Sequence, residues 1–345
     1  MRLAFASIIT LATLAIGTSA RPGKHHGKHH HGHHGQHQKG KGFEHILQIW
    51  FENQDFDVVN KVSSFTNLAK QGILLDNYNA LQHPSLPNYI DVAGGSNFGI
   101  TNDDYYNIPQ NISTLYDLLE KKGLTWKVYQ EDIPSVGYTG FKSGEYVRKH
   151  NPAVVFDSVA FNKKRLENIV PGTQLDVDIK NDDLPNWMFF TPNMLNDGHD
   201  TNATYAGKWL ENFYKKTLSN PKFLEKTLIL VTFDENSTYS IRNKVWSLLF
   251  GAIPKHLQGT TDSTYYTHFS ALNTVEKNWN LGSLGRGDAE KQSSNVFSFL
   301  AKDLGYTNVD VPESEIPMNN GYRPGLLTGK SWNQTHPNGG TPPPK

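Results

Sequence analysis

Two apolar runs in this chain each end in a pair of oxygen-donor side chains: residues 45–51 lead into Glu52-Asn53, and residues 227–233 lead into Asp234-Glu235. Between them lies a serine set among a histidine and two prolines, in His83-Pro84-Ser85-Leu86-Pro87-Asn88-Tyr89. Three carboxylates and an amide oxygen form a hard donor set for one divalent cation: Mg, Ca or Mn, or Zn or Fe if a histidine joins. A hydroxyl beside such a cation becomes a nucleophile, because the positive charge lowers its pKa and neutralises the charge that develops. Each acidic pair taken alone is ordinary loop chemistry. The repetition of the pattern singles them out.

Ser85 has a plain structural reading as well. With Pro87 in the first turn it starts a helix, and its hydroxyl caps backbone N–H groups. The same helix N-terminus is a favourable seat for phosphate, and Asn88, one turn on, can donate to a phosphoryl oxygen. The loop Asn196-Asp197-Gly198-His199-Asp200 reads either as a turn with Asx hydrogen bonds or as catalytic equipment. In the second case His199 holds the phosphate or protonates the leaving alcohol, and Asp200 orients it or reaches the metal. His268, in Tyr265-Tyr266-Thr267-His268-Phe269-Ser270, is a candidate for the same shell, although a histidine among aromatics is more often simply packed.

These groups need a scaffold that brings distant segments together. Strands are expected over 44–51, 126–129, 186–191, 227–233 and 245–251. Helices are expected over 63–71, after Ser85, over 115–122 with Ser113 as cap and Gly123 as stop, and around 205–215. Strands separated by helices favour a mostly parallel sheet covered on both faces. Such a sheet delivers side chains at the carboxyl ends of its strands, where two endings remote in sequence converge. At 345 residues, one large α/β domain is expected.

Composition narrows the chemistry further. The chain has no cysteine, which excludes disulfides and every thiol-based catalytic or zinc site. Formal net charge is zero with histidine neutral, and no nucleic-acid partner is expected. Residues 1–20 have Arg2, an apolar stretch and a small-residue end, the layout of a cleaved secretory signal, too short for a membrane span. The expected location is therefore extracellular or cell wall. Asn111, Asn202 and Asn333 are expected glycan acceptors, whereas the fourth such triplet, at Asn236, sits too close to Asp234-Glu235. Of fifteen histidines, eight fall in 24–41, a Gly/His/Lys tract with nothing apolar to bury. Residues 21–42 are expected to be a disordered arm, with metal ions or an anionic cell-wall polymer as possible partners. Residues 43–322 are expected to form the catalytic domain and 323–345 a loose tail.

The combination of Phe51-Glu52-Asn53, the Ser85 segment, Asn196 to Asp200, Thr232-Phe233-Asp234-Glu235, and Tyr266 to Ser270 continuing through Glu276, Asn278-Trp279 and Leu284-Gly285-Arg286 resembles the phosphoesterase family. That family contains fungal secreted acid phosphatases and bacterial phospholipases C and acid phosphatases. The resemblance implies an alkaline-phosphatase-like three-layer α/β/α sandwich. It implies Ser85 as the transiently phosphorylated group, beside one metal held by Glu52, Asn53, Asp234 and Glu235. Asn88, His83, His199 and His268 are then phosphate contacts, with Asp200 in the catalytic set. The sulfatases of the same superfamily carry Arg two residues after the motif proline, where this chain has Tyr89.

The expected function is a secreted, metal-assisted acid phosphatase acting on small organic phosphate monoesters. A phospholipase C type phosphodiesterase is the first alternative, and a non-catalytic, His-rich metal-binding or wall protein the second.

Overall fold

The computed structural model describes residues 39–321. The secretory-signal reading of 1–20, nearly all of the 21–42 arm, the 323–345 tail and Asn333 lie outside the described residues. Lys41 and Gly42, within the expected arm, donate backbone hydrogen bonds to the Asn278 carbonyl and side chain.

Eight strands form the central sheet: β1 His45–Phe51, β2 Ile73–Leu75, β3 Trp126–Gln130, β4 Ile169–Pro171, β5 Trp187–Thr191, β6 Thr227–Phe233, β7 Ser247–Gly251 and β8 Thr260–Asp262. Their spatial order is β8-β2-β7-β6-β1-β5-β3-β4. Every pairing is parallel except those of β7, which runs antiparallel to both β6 and β2. The central strands β1, β5 and β6 are buried along their whole length, which explains their continuous apolar runs in place of alternation. The three-residue strands β2, β4 and β8, of which β4 and β8 form the sheet edges, are too short to announce themselves by period.

The helices used below are α1 Ser63–Ala69, α2 Ser85–Gly94, α3 Leu115–Lys121, α4 Gln174–Asn181, α5 Ala203–Phe213, α6 His268–Trp279 and α7 Ser298–Leu304. Adjacent side chains of a strand point to opposite faces, so β1 shows which helices lie where. Trp50 packs 5.1 Å from Tyr89 of α2 and 4.2 Å from His268 of α6. Its neighbour Phe51 packs 5.7 Å from Phe65 of α1 and 5.8 Å from Trp209 of α5. The sheet is therefore the middle of three layers, as expected. Each of these aromatics contributes on the order of 2–3 kcal/mol by burial, which fixes the strand ends beside the helices that carry the site.

Two details differ from the sequence reading. Helix α3 is capped by Thr114, not Ser113: Thr114 and Asp117 form a reciprocal capping box, and Arg286 binds the Ser113 carbonyl and hydroxyl instead. Helix α6, which carries His268, was not anticipated. It is buried on almost every side, so it lacks the polar stripe by which an amphipathic helix is found.

Candidate active site

β1 and β6 are parallel neighbours with Phe51 opposite Phe233, so Glu52 and Asp234 leave the sheet side by side. Asp234 N–H still reaches the Phe51 carbonyl at 2.9 Å. In regular strand geometry Glu52 and Asn53 would diverge, but Asn53 adopts φ +48°, a left-handed conformation that asparagine tolerates, and the turn keeps both on one side. The amide end of Asn53 then lies 3.2 Å from Asp234 Oδ1 and 3.0 Å from Glu235 Oε1.

Ser85 opens α2, next to a cis His83–Pro84 peptide, and is 1% exposed. Its hydroxyl does not cap its own helix. It donates to Glu52 Oε2 at 3.0 Å, and the Asp234 and Glu235 carboxyls are its further neighbours. The amide that follows it, Leu86 N–H, donates to Asp103 Oδ1 at 3.0 Å. Tyr89, one turn on, donates its hydroxyl to Glu52 Oε1.

Three carboxyl groups now crowd one buried hydroxyl, and their protonation reflects it. Burial, with repulsion from Glu52 and Glu235, pushes the Asp234 carboxyl well above its ordinary range. Burial and repulsion from Glu52 and Asp103 raise Glu235 to about 9. Burial works in the same direction on Glu52, but the His150 charge and hydrogen bond, Lys149 and Tyr89 outweigh it and hold Glu52 at about 2. His83 sits 2.5 Å from Glu235 Oε2 through Nδ1 and stacks on the Tyr239 ring at 3.7 Å. Burial lowers His83 to about 4, so the pair is a neutral carboxyl against a neutral imidazole. Asp234 Oδ2 and His83 Nε2 are buried without a hydrogen-bond partner. An oxygen-rich set with repelling carboxylates and an unpaired carboxylate oxygen has the chemistry of a divalent-cation site.

A second group adjoins it. Glu52, His150 and Asp197 bring three potential metal-ligating atoms within 4.8 Å of one another, all buried. His150 Nε2 is 3.1 Å from Glu52 Oε2, and its Nδ1 is 3.4 Å from Asp197 Oδ2. Two strand ends place it: Thr191 Oγ1 and Gln130 Nε2, at the ends of β5 and β3, both donate to the His150 carbonyl. Arg148, fully buried, anchors the same short segment through the Tyr106 and Val154 carbonyls and by stacking 4.0 Å over Tyr105. Asp197 reaches the site because its carbonyl accepts from Glu52 N–H at 3.0 Å while Gly198, at φ +98°, turns the loop.

His199 and Asp200 are at the more exposed mouth. His199 Nδ1 donates to Asp200 Oδ1 at 2.7 Å, which leaves Nε2 to accept from Lys149 Nζ at 3.3 Å. Lys149 also donates to Asp103 Oδ2 at 2.9 Å.

Of the residues expected to contact phosphate, His83 spends Nδ1 on Glu235 and keeps Nε2 unpaired, and Asn88 and His268 are placed elsewhere. Asn88 is buried with its amide committed to backbone: Oδ1 accepts from Leu81 N–H, and Nδ2 donates to the Gln82 and Pro84 carbonyls. It pins the loop that presents Ser85. His268 donates from Nε2 to the Asp234 carbonyl at 2.7 Å and faces the Tyr78 hydroxyl with Nδ1 at 3.4 Å, beneath the acidic pair. Both were chosen on residue type and spacing, and the hydrogen bonds that occupy them come from segments remote in sequence. Lys149, His150, Asp103, Asp197 and Tyr89 were missed as individual participants. Only Asp197 and Tyr89 lay inside the motifs singled out.

The arrangement sets a buried serine hydroxyl against a hard, oxygen-rich donor set at the ends of parallel strands. The Phosphoesterase family pattern matches residues 30–282. A phosphate-repressible acid phosphatase of Penicillium chrysogenum is 46% identical over 296 residues, covering 84% of this chain and 71% of that protein. An acid phosphatase of Aspergillus fumigatus is 43% identical over 87% of this chain and 68% of its own length. A phosphatidylinositol-3-phosphatase of Mycobacterium tuberculosis is 31% identical over 70% of this chain and 79% of its own. Among solved structures, a protein from a Bacteroides thetaiotaomicron glycosaminoglycan-metabolism locus shares the fold at TM-score 0.50 and 11% identity, covering 79% of this chain and 83% of that one. The chain belongs to the Phosphoesterase family, and its reaction class is hydrolysis of phosphoric ester bonds.

Proposed function

We propose that this protein is a secreted acid phosphatase that releases inorganic phosphate from small phosphate monoesters, with Ser85 as nucleophile. The observation that carries the reading is the Ser85 hydroxyl, turned from its own helix to Glu52 Oε2 at 3.0 Å inside a cluster of buried carboxyls. The fungal relatives named as acid phosphatases support the substrate class. The mycobacterial relative, named for removing a 3-phosphate, is also a monoester hydrolase by its name.

The chain's own groups divide the work. Glu52 orients the hydroxyl and offers its proton a carboxylate acceptor. Ser85 Oγ forms a bond to phosphorus as the bond to the alcohol oxygen breaks, leaving a phosphoserine that water then hydrolyses. The Ser85 proton leaves with the departing alcohol; His199, held by Asp200, takes a proton from the attacking water at Nε2 once Lys149 has turned to the phosphoryl oxygens, and that proton ends on Ser85 Oγ. Lys149 pairs with the phosphoryl oxygens. His83 holds Glu235, while His268 and Asn88 hold the loops of Asp234 and Ser85 in place. Glu52, Asn53, Asp234 and Glu235 would hold one divalent cation, Mg, Ca, Mn, Zn or Fe, which when bound neutralises phosphoryl charge and lowers the Ser85 pKa.

Export rests on residues 1–20, and no helix among the described residues is long and apolar enough to cross a membrane. Asn111 and Asn202 are exposed, as glycan attachment requires, whereas the Asn236 amide is buried and donates to the Thr238 and Arg242 carbonyls.

The test is phosphate release from p-nitrophenyl phosphate between about pH 3 and about pH 9, in wild type, Ser85→Ala and chelator-treated protein. The reading expects activity on the acid side that Ser85→Ala abolishes and one added cation restores after chelation. Undiminished Ser85→Ala activity would remove the nucleophile assignment; cleavage of a diester alone would replace the monoesterase by a phosphodiesterase.

A further inference from the structure

The cluster has three carboxylates that face the serine, and a fourth that stands apart from them. Asp103 lies in the loop between α2 and α3, with its side chain 30% exposed. Its two oxygens occupy the donors a phosphoryl group on Ser85 would use: Oδ1 takes Leu86 N–H at 3.0 Å, and Oδ2 takes Lys149 Nζ at 2.9 Å. Lys149 in turn stands 3.3 Å from His199 Nε2. The Asp103 charge is also felt across the mouth by Glu235 and Tyr239. The groups around Asp103 are thus Lys149 and His199 on one side and Glu235 and Tyr239 on the other.

We propose that Asp103 is the specificity-determining residue of this site: its carboxylate accepts a hydrogen bond from a protonated phosphoryl oxygen. This rests on the Ser85 reading above and deepens it by naming the ionic form of the substrate. A phosphoryl group seated against the Leu86 amide and Lys149 comes up against Asp103. A monoester dianion brings a second negative charge to a carboxylate and is repelled. A diester has no P–OH to donate. A monoester monoanion, ROPO3H−, fits: its charge lies on Lys149 and the Leu86 amide, and its remaining P–OH donates to Asp103 in a charge-assisted hydrogen bond. Phosphate groups lose this proton near about pH 6, so acid operation follows from the form of substrate that the site selects.

The experiment measures kcat/KM on both sides of about pH 6 for an alkyl phosphate, for an aryl phosphate with a lower second ionisation, and for an aryl phosphodiester. Wild type, Asp103→Asn, Asp103→Glu and Ser85→Ala are compared, with thermal unfolding midpoints alongside. In wild type the falling limb should follow the second ionisation of the ester, arriving earlier for the aryl monoester. Asp103→Asn should flatten that limb and lower the monoester-to-diester preference by about tenfold, the value of one charge-assisted hydrogen bond. Asp103→Glu should keep the limb. A limb that ignores the ester's ionisation, or one that Asp103→Asn leaves in place with the same preference, overturns the proposal. Activity retained by Ser85→Ala would sink only the nucleophile assignment, because the limb is compared between wild type and the Asp103 variants whichever group attacks.

Discussion

Replacing Tyr89 by phenylalanine removes one oxygen from a fully buried ring and changes little else. The ring stays wedged between Trp50 at 5.1 Å and the His150 imidazole, stacked at 5.1 Å and 17°. What disappears is the hydroxyl that Glu52 Oε1 accepts from, on a carboxylate with no solvent exposure. Burial and the Glu52 charge hold the Tyr89 proton on its oxygen, so the donor is always present in the wild type. A hydrogen bond to a charged partner contributes roughly 1.5–3 kcal/mol, and at about 1.4 kcal/mol per decade that is about ten- to a hundredfold in any equilibrium that depends on Glu52. Cation binding is such an equilibrium, and loss of a group that orients a ligand typically weakens it by about 10–100-fold. Metal-free Tyr89→Phe titrated calorimetrically with Mg, Ca, Mn and Zn should therefore bind its preferred cation about ten- to a hundredfold more weakly. Activity at saturating cation should fall by less than about tenfold, since Ser85 and its neighbours are untouched. An unchanged dissociation constant in Tyr89→Phe, alongside lost binding in Glu52→Gln, would refute the claim that this hydroxyl aims the ligand.

Other consequences are as specific. Asn88→Ala should cost about 2–4 kcal/mol, because two carbonyls and one amide of the Ser85 loop lose their partner; kcat should drop while inhibition by inorganic phosphate stays within a few-fold, whereas a direct phosphate ligand would raise that inhibition constant. Lys149→Met should do the reverse, raising KM for a monoester by about tenfold with a smaller change in kcat. Glu276, 1% exposed in α6 beside Asp288, is raised by burial and by that neighbour to about 9. A carboxyl raised in the folded state contributes stability that is complete below its unfolded pKa and lost as pH rises toward the folded value, so wild type should lose at most about 4 kcal/mol between about pH 5 and about pH 8. Denaturant unfolding of Glu276→Gln should lack that slope; an equal slope in both proteins would exclude Glu276 as its source.

The composition of the site is partly legible in the sequence. Glu52, Asn53, Asp234 and Glu235 could be picked out because a fully buried parallel strand is a continuous apolar run, and the polar pair that ends it is visible by contrast. Residue type and spacing left Ser85 as either a capping hydroxyl or a nucleophile, and only the family resemblance pointed to the nucleophile. Only the packing of α2 against β1, through Tyr89 and Trp50, turned its Oγ to Glu52. Lys149 and His150 gave no signal, because a short 3-10 turn following two-residue strands has no period. Their place is decided by Gln130, Thr191 and Arg148, partners found only once β3, β5 and the loop around Tyr105 to Asn107 are assembled. Asn88 and His268 show the converse: their types and spacing suited phosphate, but the Pro84 and Asp234 carbonyls had already taken their donors. Residue type and strand periodicity are local properties, so the sequence determined which groups stand at the strand ends. Whether a polar atom is free to meet a substrate depends on every neighbour within hydrogen-bonding distance, most of them far away along the chain, and that was settled by tertiary structure alone.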